Sequence, residues 1–312
     1  MNTQSYGITD FGSATTLVCR SGEIPPLDNS KVRVKIKSCS VNPIDVKTRA
    51  GLGFVAANKA PHVFLPLGYD LFGEVIAAPP LLQDKIGMQV LGMVGFPHSP
   101  GTYSSFIDVD INEVIFVPAV KENLLLGGLS LAGLTAYQAI DLFDKTMPLY
   151  VSGSTGGVGH LAIQIAALKG YEVIAVSTKP SHSLFATIQC SDRIKVISFD
   201  TFFKQKIKAG FLDLVGGEVG KKCIANLQPE SVVVTVPTIS KELLCEFAMS
   251  NGIQAQGMVV SSNTEHLFAL YNWVKKGELT LVVEYSYALE DVASAHQRLE
   301  SGNYVGKLLI TV

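Results

Sequence analysis

The hydrophobic rhythm of the chain changes near residue 120. Before that point apolar positions recur at a spacing of two. Lys31, Arg33, Lys35 and Lys37 alternate with Val32, Val34 and Ile36, the period of a strand with one buried face. Proline and glycine punctuate the stretch from Pro43 to Gly101 so densely that it predicts short strands and tight turns. Beyond residue 120 the apolar runs become continuous. Residues 149–152 predict a short buried strand, and 160–169 are apolar nearly all round, as a covered crossover helix is. Gly170 stops that helix and 172–177 predict the next strand, completing a βαβ unit. Further strand candidates lie at 196–199, 211–215, 232–236 and 254–260, and parallel strands with helical links imply a doubly wound sheet. Two helices are predicted at 264–276, with Thr264 as N-cap, and at 291–299. A closing strand at 308–312 has no partner in that sheet, so the C-terminal segment is expected to return to the first domain. The expected fold class is α/β.

Composition narrows the class. Only 17% of the 312 residues are charged against 47% apolar. An average soluble domain carries about 25% charge, so a large buried fraction is expected. A parallel sheet covered on both faces, an apolar subunit interface, or both would account for it. The net charge of −2 offers no basic excess for nucleic acid. Residues 1–14 are polar and do not read as a secretory signal, and no stretch of about 18 uncharged apolar residues reads as a membrane span. Five cysteines (Cys19, Cys39, Cys190, Cys223 and Cys245) without a CxxC pair fit reduced thiols in a cytoplasm.

Gly153, Gly156 and Gly159 form a GxxGxxG loop between a predicted strand and an apolar helix. In that context glycines let the backbone approach a pyrophosphate, and the helix N-terminus faces the charge. The cradle is expected over Ser154, Thr155, Gly156, Gly157 and Val158, with amides of Gly156, Gly157 and Val158 on the phosphates. A run from Gly216 to Lys222 has P-loop-like glycines but is one residue short and places Lys222 where Ser or Thr is required. At the end of the second strand an acidic residue would take the ribose 2′-hydroxyl of NAD. This chain has Ser177, Thr178 and Lys179 there. Two hydroxyls and a cation suit a 2′-phosphate, so the expected cofactor is NADPH.

Together these residues carry a resemblance. Ser-Val-Asn-Pro-Ile-Asp-Val-Lys over 40–47, Leu-Gly-Tyr-Asp over 67–70 with Gly73, Leu-Ala-Gly-Leu-Thr-Ala-Tyr over 131–137, the glycine loop, and Gly302 with Gly306 and Lys307 resemble the medium-chain dehydrogenase/reductase superfamily, in its zinc-free quinone oxidoreductase-like branch. The resemblance runs almost end to end. It implies a GroES-like β-rich catalytic domain (1–119 and 261–312), a Rossmann NADPH-binding domain (120–260) inserted within it, and a homodimer, which the apolar edge-strand candidate at 254–260 would also favour. Where zinc members place a Cys, a His-Glu pair and a second Cys, the matching positions here are Asn42, Tyr69–Asp70 and Leu131, which supply too few ligands for catalytic zinc. Without a Lewis acid the hydride acceptor must already be activated, so a quinone or an α,β-unsaturated carbonyl is expected. An enoyl-thioester reductase, or a catalytically weak NADPH-binding structural or regulatory protein, are the alternatives.

The resemblance also assigns candidate residues. Asn42 is expected on the nicotinamide ribose or substrate, or as a cap before Pro43. Lys47 is expected to orient the cofactor carboxamide or charge-stabilise the developing enolate, or to be a solvated lysine. Asp45 either pairs with such a lysine or caps a helix. Thr135 is expected near the nicotinamide, or in helix packing. Tyr69 and Tyr103 are weak substitutes for the proton-donating tyrosine of some relatives, absent from Leu52-Gly53-Phe54. His160 is expected to cap or pack, and Phe199 to belong to the core or the adenine edge.

Overall fold

The structure, a computed structural model, describes residues 2–118, 123–188 and 191–312. The expected domain boundary at 119/120 and Cys190 lie outside the described residues. In chain order the main elements are β1 (Asn2–Ile8), β2 (Leu17–Glu23), β3 (Lys31–Val41), α1 (Pro43–Arg49), β4 (Leu65–Pro66), β5 (Asp70–Ala77), β6 (Gln89–Met93), β7 (Phe106–Asp110) and β8 (Val114–Val117). Then come α2 (Ser130–Ile140), β9 (Leu149–Ser152), α3 (Gly159–Leu168), β10 (Val173–Ser177), α4 (Leu184–Thr187), β11 (Ile194–Ser198), α5 (Phe199–Phe202), β12 (Gly210–Asp213), α6 (Gly217–Ala225), β13 (Val232–Thr235), α7 (Lys241–Ser250) and β14 (Gln254–Gly257). The chain closes with α8 (Thr264–Lys275), β15 (Val283–Ala288), α9 (Val292–Glu300) and β16 (Lys307–Thr311).

Two compact units result. One comprises Met1–Ala132, Ser261–Ala269 and Val283–Val312; the other Gly133–Val260 and Leu270–Val282. In the first, β3 is central. Its alternation works as read: Val32, Val34 and Ile36 are at most 1% exposed and pack with Leu71, Val75 and Val90. The strands lie in the order β15-β16-β3-β5-β6-β8, with β7 also on β3, while β2-β1-β4 forms a small separate sheet. The C-terminal strand returns to this unit as expected. β16 pairs antiparallel with β3, Leu308 opposite Val41. Gly73 is required where β5 crosses β3, since a Cβ there would lie 2.4 Å from the Lys35 carbonyl oxygen.

In the second unit six parallel strands take the order β11-β10-β9-β12-β13-β14. The order reverses beside β9, the point where such sheets open a crevice at their carboxyl ends. Two details differ from expectation, and Phe199 takes the core reading. The α8 cap is Asn263, whose Oδ1 accepts the His266 N–H at 2.9 Å, so Thr264 lies inside the helix. β14 stops at Gly257: Gln254 and Gln256 are exposed, and the apolar Met258 and Val260 are buried beyond the strand. The open edge is therefore polar. Phe199 opens α5 and packs on the core of Val176, Phe202 and Phe211.

Candidate active site

The glycine loop joins β9 to α3. Gly153 has φ +63°, a conformation that favours glycine, and a Cβ on Gly159 would lie 2.1 Å from the Gly153 carbonyl oxygen. The loop thus closes on itself. One expectation needs correction: the Gly156 N–H turns inward to the Gly153 oxygen at 3.0 Å and is not offered outward. Thr155, Gly157 and Val158 remain half-exposed at the start of the ten-residue α3. Ser154 is fully buried and its hydroxyl donates to the Val176 carbonyl at 3.0 Å, tying the loop to the end of β10. The Ser177–Lys179 turn is therefore brought beside the loop. Within that turn Ser177 is 2% exposed and its Oγ accepts the Lys179 N–H at 2.8 Å, leaving exposed Thr178 and half-buried Lys179 as the surface groups. This self-closed loop at a helix N-terminus, with a cation at the next strand end, fits a dinucleotide phosphate chain.

A support that the sequence did not reveal stands behind the loop. Val282 N–H donates to His160 Nε2 at 3.2 Å, so the ring proton sits on Nδ1 and donates to the Gly156 oxygen at 2.9 Å. One turn on, Gln164 pairs both ways with Thr280, Nε2 to the carbonyl at 3.0 Å and Oε1 from the N–H at 2.9 Å. The face of α3 thereby imitates a strand edge for residues 280–282. Thr135 is 3% exposed on α2, a buried helix position.

The first unit holds the other candidates. Asn42 is the N-cap of α1, 2% exposed, and its backbone N–H donates to Asp45 Oδ2 at 2.8 Å. Both ends of its amide are engaged: Nδ2 donates to Asp70 Oδ2 at 2.8 Å, and Oδ1 accepts from Lys307 Nζ at 2.5 Å. Asn42 occupies the cap position, but its side chain makes no cap hydrogen bond and is given to Asp70 and Lys307 instead. Asp45 caps rather than pairing with Lys47, and takes Gly68 N–H and Tyr103 Oη as further donors. Burial drives its carboxyl up to about 7 against the pull of these donors. Lys47 lies on the same short helix, half-buried, and burial lowers its pKa. Tyr69 and Tyr103 are both fully buried with their hydroxyls committed, to the Pro97 oxygen at 3.0 Å and to Asp45 at 3.1 Å. Neither is placed as a proton donor. Tyr69 instead underlies Phe96 edge-on at 5.2 Å, and Phe96 meets Phe54 at 6.4 Å. The loops around 51–55 and 95–97 are joined by this half-exposed aromatic pair.

An alcohol dehydrogenase GroES-like domain model matches residues 28–119, and a zinc-binding dehydrogenase model matches 200–310. The structure of the quinone oxidoreductase from Coxiella burnetii is 31% identical, with all of both chains covered and a TM-score of 0.90. The chain belongs to the medium-chain dehydrogenase/reductase superfamily, in its quinone oxidoreductase-like branch. Curated members of the superfamily similar to it include the mitochondrial NAD(P)H oxidoreductase RTN4IP1 of Bos taurus, 27% identical over 99% of this chain and 89% of that protein. Another is the 2-methylene-furan-3-one reductase of Solanum lycopersicum, 26% identical over 98% and 78%.

One matching family description names zinc, so the donor set matters. Asn42, Tyr69–Asp70 and Leu131 are the residues that the resemblance sets at the superfamily's ligand positions. Tyr69 gives its hydroxyl to Pro97, and Leu131 contributes only a backbone N–H, to Asp70 Oδ1 at 2.6 Å. The other Asp70 oxygen takes Ser40 Oγ and Asn42 Nδ2, with Lys307 Nζ at 3.5 Å. Among the described residues no group of three His, Cys, Asp or Glu side chains could hold a metal ion. An ammonium and its hydrogen-bond partners take up the carboxylate that a dication would need, and these residues do not fit catalytic zinc.

Proposed function

We propose that this chain is an NADPH-dependent reductase that passes hydride to a quinone or an α,β-unsaturated carbonyl without zinc. The observation that carries the reading is the donor set just described: an oxidoreductase of this superfamily whose metal-ligand positions are saturated by a lysine-centred network needs an acceptor that is electron-poor by itself. Bound NADPH would supply the hydride. Gly157 and Val158 amides would hold its pyrophosphate, while Thr178 and Lys179 would take the 2′-phosphate. Phe54 and Phe96 offer flat apolar faces to a conjugated, planar acceptor. As charge develops on the acceptor oxygen, the Lys47 ammonium would stabilise it and can donate the proton, a role its depressed pKa favours. Asn42 would act by fixing the helix that carries Lys47.

The test is single-turnover NADPH oxidation with a quinone, an enone and an enoyl thioester, wild type against Lys47→Ala. We expect turnover with the quinone or enone and a loss on the order of 10–1000-fold in the variant, the scale of removing one oxyanion donor. Preference for the thioester would move the chain to the enoyl-reductase reading. NADPH binding without oxidation of any acceptor would mark it as a binding protein.

A further inference from the structure

Lys307 is the least expected residue of the first unit. It is 3% exposed, yet its side chain ends in an ammonium. Burial lowers its pKa while the carboxylates of Asp70 and Asp45 pull the other way. The strand register explains how it arrives: Leu308 faces Val41, so the next pair outward sets Lys307 beside Asn42. The stem packs beside Gly128, where a Cβ would lie in ordinary contact at 3.5 Å from Lys307 Cβ. The ammonium then touches Asn42 Oδ1 at 2.5 Å and Asp70 Oδ2 at 3.5 Å. Through Asp70 the same network holds Ser40 at the end of β3 and the Leu131 N–H in the first turn of α2.

We propose that Lys307 is a positioning residue: an internal cation that fixes the three segments on which metal-bearing relatives carry their ligands, and so sets where α1 presents Lys47. Three physical points support this. First, α1 has only seven residues, too short to be stable by its own hydrogen bonds, so its direction is set by how its N-terminus is anchored. Second, Lys307 determines which way the Asn42 amide faces. With the ammonium on Oδ1, only Nδ2 is left for Asp70. Turning the amide over would aim an N–H₂ group at an ammonium and an oxygen at a carboxylate. Third, a buried ion pair adds little net stability compared with well-packed apolar groups. An arrangement that joins residues 265 positions apart in sequence is better explained by geometry than by energy.

This inference rests on the proposed role of Lys47, so its test needs a readout that does not depend on turnover. Reductive methylation with ¹³C-formaldehyde makes Lys47 visible by NMR, and its titration reports how buried α1 keeps it. Three variants are compared with wild type: Lys307→Met, Lys307→Gln, and Lys307→Met combined with Asp70→Asn. The single methionine leaves the Asp70 carboxylate buried without its cation and is expected to melt well below wild type. The double variant removes both charges and is expected to recover most of that melting temperature. It should nevertheless keep a Lys47 titration displaced upward, toward that of a solvated lysine, and a kcat at least tenfold down with NADPH KM unchanged. The glutamine can still donate to Asn42 Oδ1 and should lie between. A folded double variant or Lys307→Gln with wild-type Lys47 titration and wild-type kcat would show that Lys307 only neutralises Asp70, and the proposal falls. Failure of all three variants to fold also overturns it, by making Lys307 a requirement of the core alone. If wild type oxidises no acceptor, the proposed function fails while the Lys47 titrations still decide this question.

Discussion

Asp45 and His296 sit at opposite ends of one buried hydrogen-bonded path. Tyr103 donates to Asp45 Oδ2 at 3.1 Å and accepts from His296 Nε2 at 3.2 Å. Burial shifts both groups toward neutrality, Asp45 up to about 7 and His296 down to about 3, the nearby Arg49 adding to the latter. Their effects on stability oppose each other. Between about pH 4 and 7 the native state holds the Asp45 proton that the unfolded chain has lost, so this term weakens the fold as pH rises. Between about pH 3 and 6.5 the unfolded chain protonates its histidine and the native state does not, so the His296 term strengthens the fold as pH rises. Each amounts to roughly 4–5 kcal/mol across its window, and over their overlap they largely cancel. Asp45→Asn should therefore unmask stability that climbs from pH 4 to 6.5, and His296→Asn stability that declines over the same range. Urea melts at half-unit pH steps measure both, and slopes unchanged from wild type in either variant would contradict the assignment. Lys179→Ala makes a separate residue-scale test. It should weaken NADPH binding by about 1–3 kcal/mol, the worth of a charge-assisted hydrogen bond, and leave NADH nearly unaffected. Isothermal titration with both cofactors checks it, and equal losses would remove the 2′-phosphate assignment.

At the scale of elements, the glycine loop and α3 act as one piece. Gly159→Ala forces a Cβ against the Gly153 carbonyl, so the loop must open. An overpacking cost of about 1–3 kcal/mol is expected, together with at least a tenfold loss of NADPH affinity by fluorescence titration. An alanine variant that binds NADPH normally would show that the loop tolerates a wider shape. Gln164→Leu probes the other face of α3. It strips Thr280 of the partners for both its N–H and its C=O, and loss of buried backbone hydrogen bonds of this kind costs about 1–3 kcal/mol. Thermal melts should record that loss, and a melting temperature equal to wild type would mean that residues 280–282 are held by something else.

At the scale of the whole molecule, β14 is the outer strand of the parallel sheet and has hydrogen-bonding groups open along one side. Open strand edges pair readily, and we expect two chains to join there as a homodimer. Because Gln254 and Gln256 rather than apolar side chains are exposed along this strand, backbone pairing would carry the interface, and Ala255→Pro should weaken it. Light scattering at micromolar concentration measures both: a monomer mass for wild type ends the expectation, and a dimer unaffected by the proline moves the interface elsewhere.

The sequence by itself determined what depends on neighbours in the chain. The two-residue alternation of 31–37, the continuous apolar runs of 149–152 and 160–169, and the glycines at 153, 156 and 159 are local signals. Each was enough to place a strand, a helix or a loop within a few residues. The family landmarks were legible for a similar reason, being short fixed strings. What needed the tertiary structure was every property set by partners distant in sequence. Lys307 lies 265 positions from Asn42, and only the β16–β3 register joins them. Asn42 read as a cofactor contact or a cap until its amide was seen to lie between Lys307 and Asp70. Gly156 read as an open amide until the loop turned that N–H onto Gly153. Tyr69 and Tyr103 kept a possible donor role until Pro97 and Asp45 took their hydroxyls. The strand at 254–260 read as apolar to its end, but Met258 and Val260 are buried beyond it. The physical reason is the same in each case: a polar group's chemistry is set by which hydrogen-bond partners and how much solvent reach it, and burial is a property of the folded chain rather than of any segment of it.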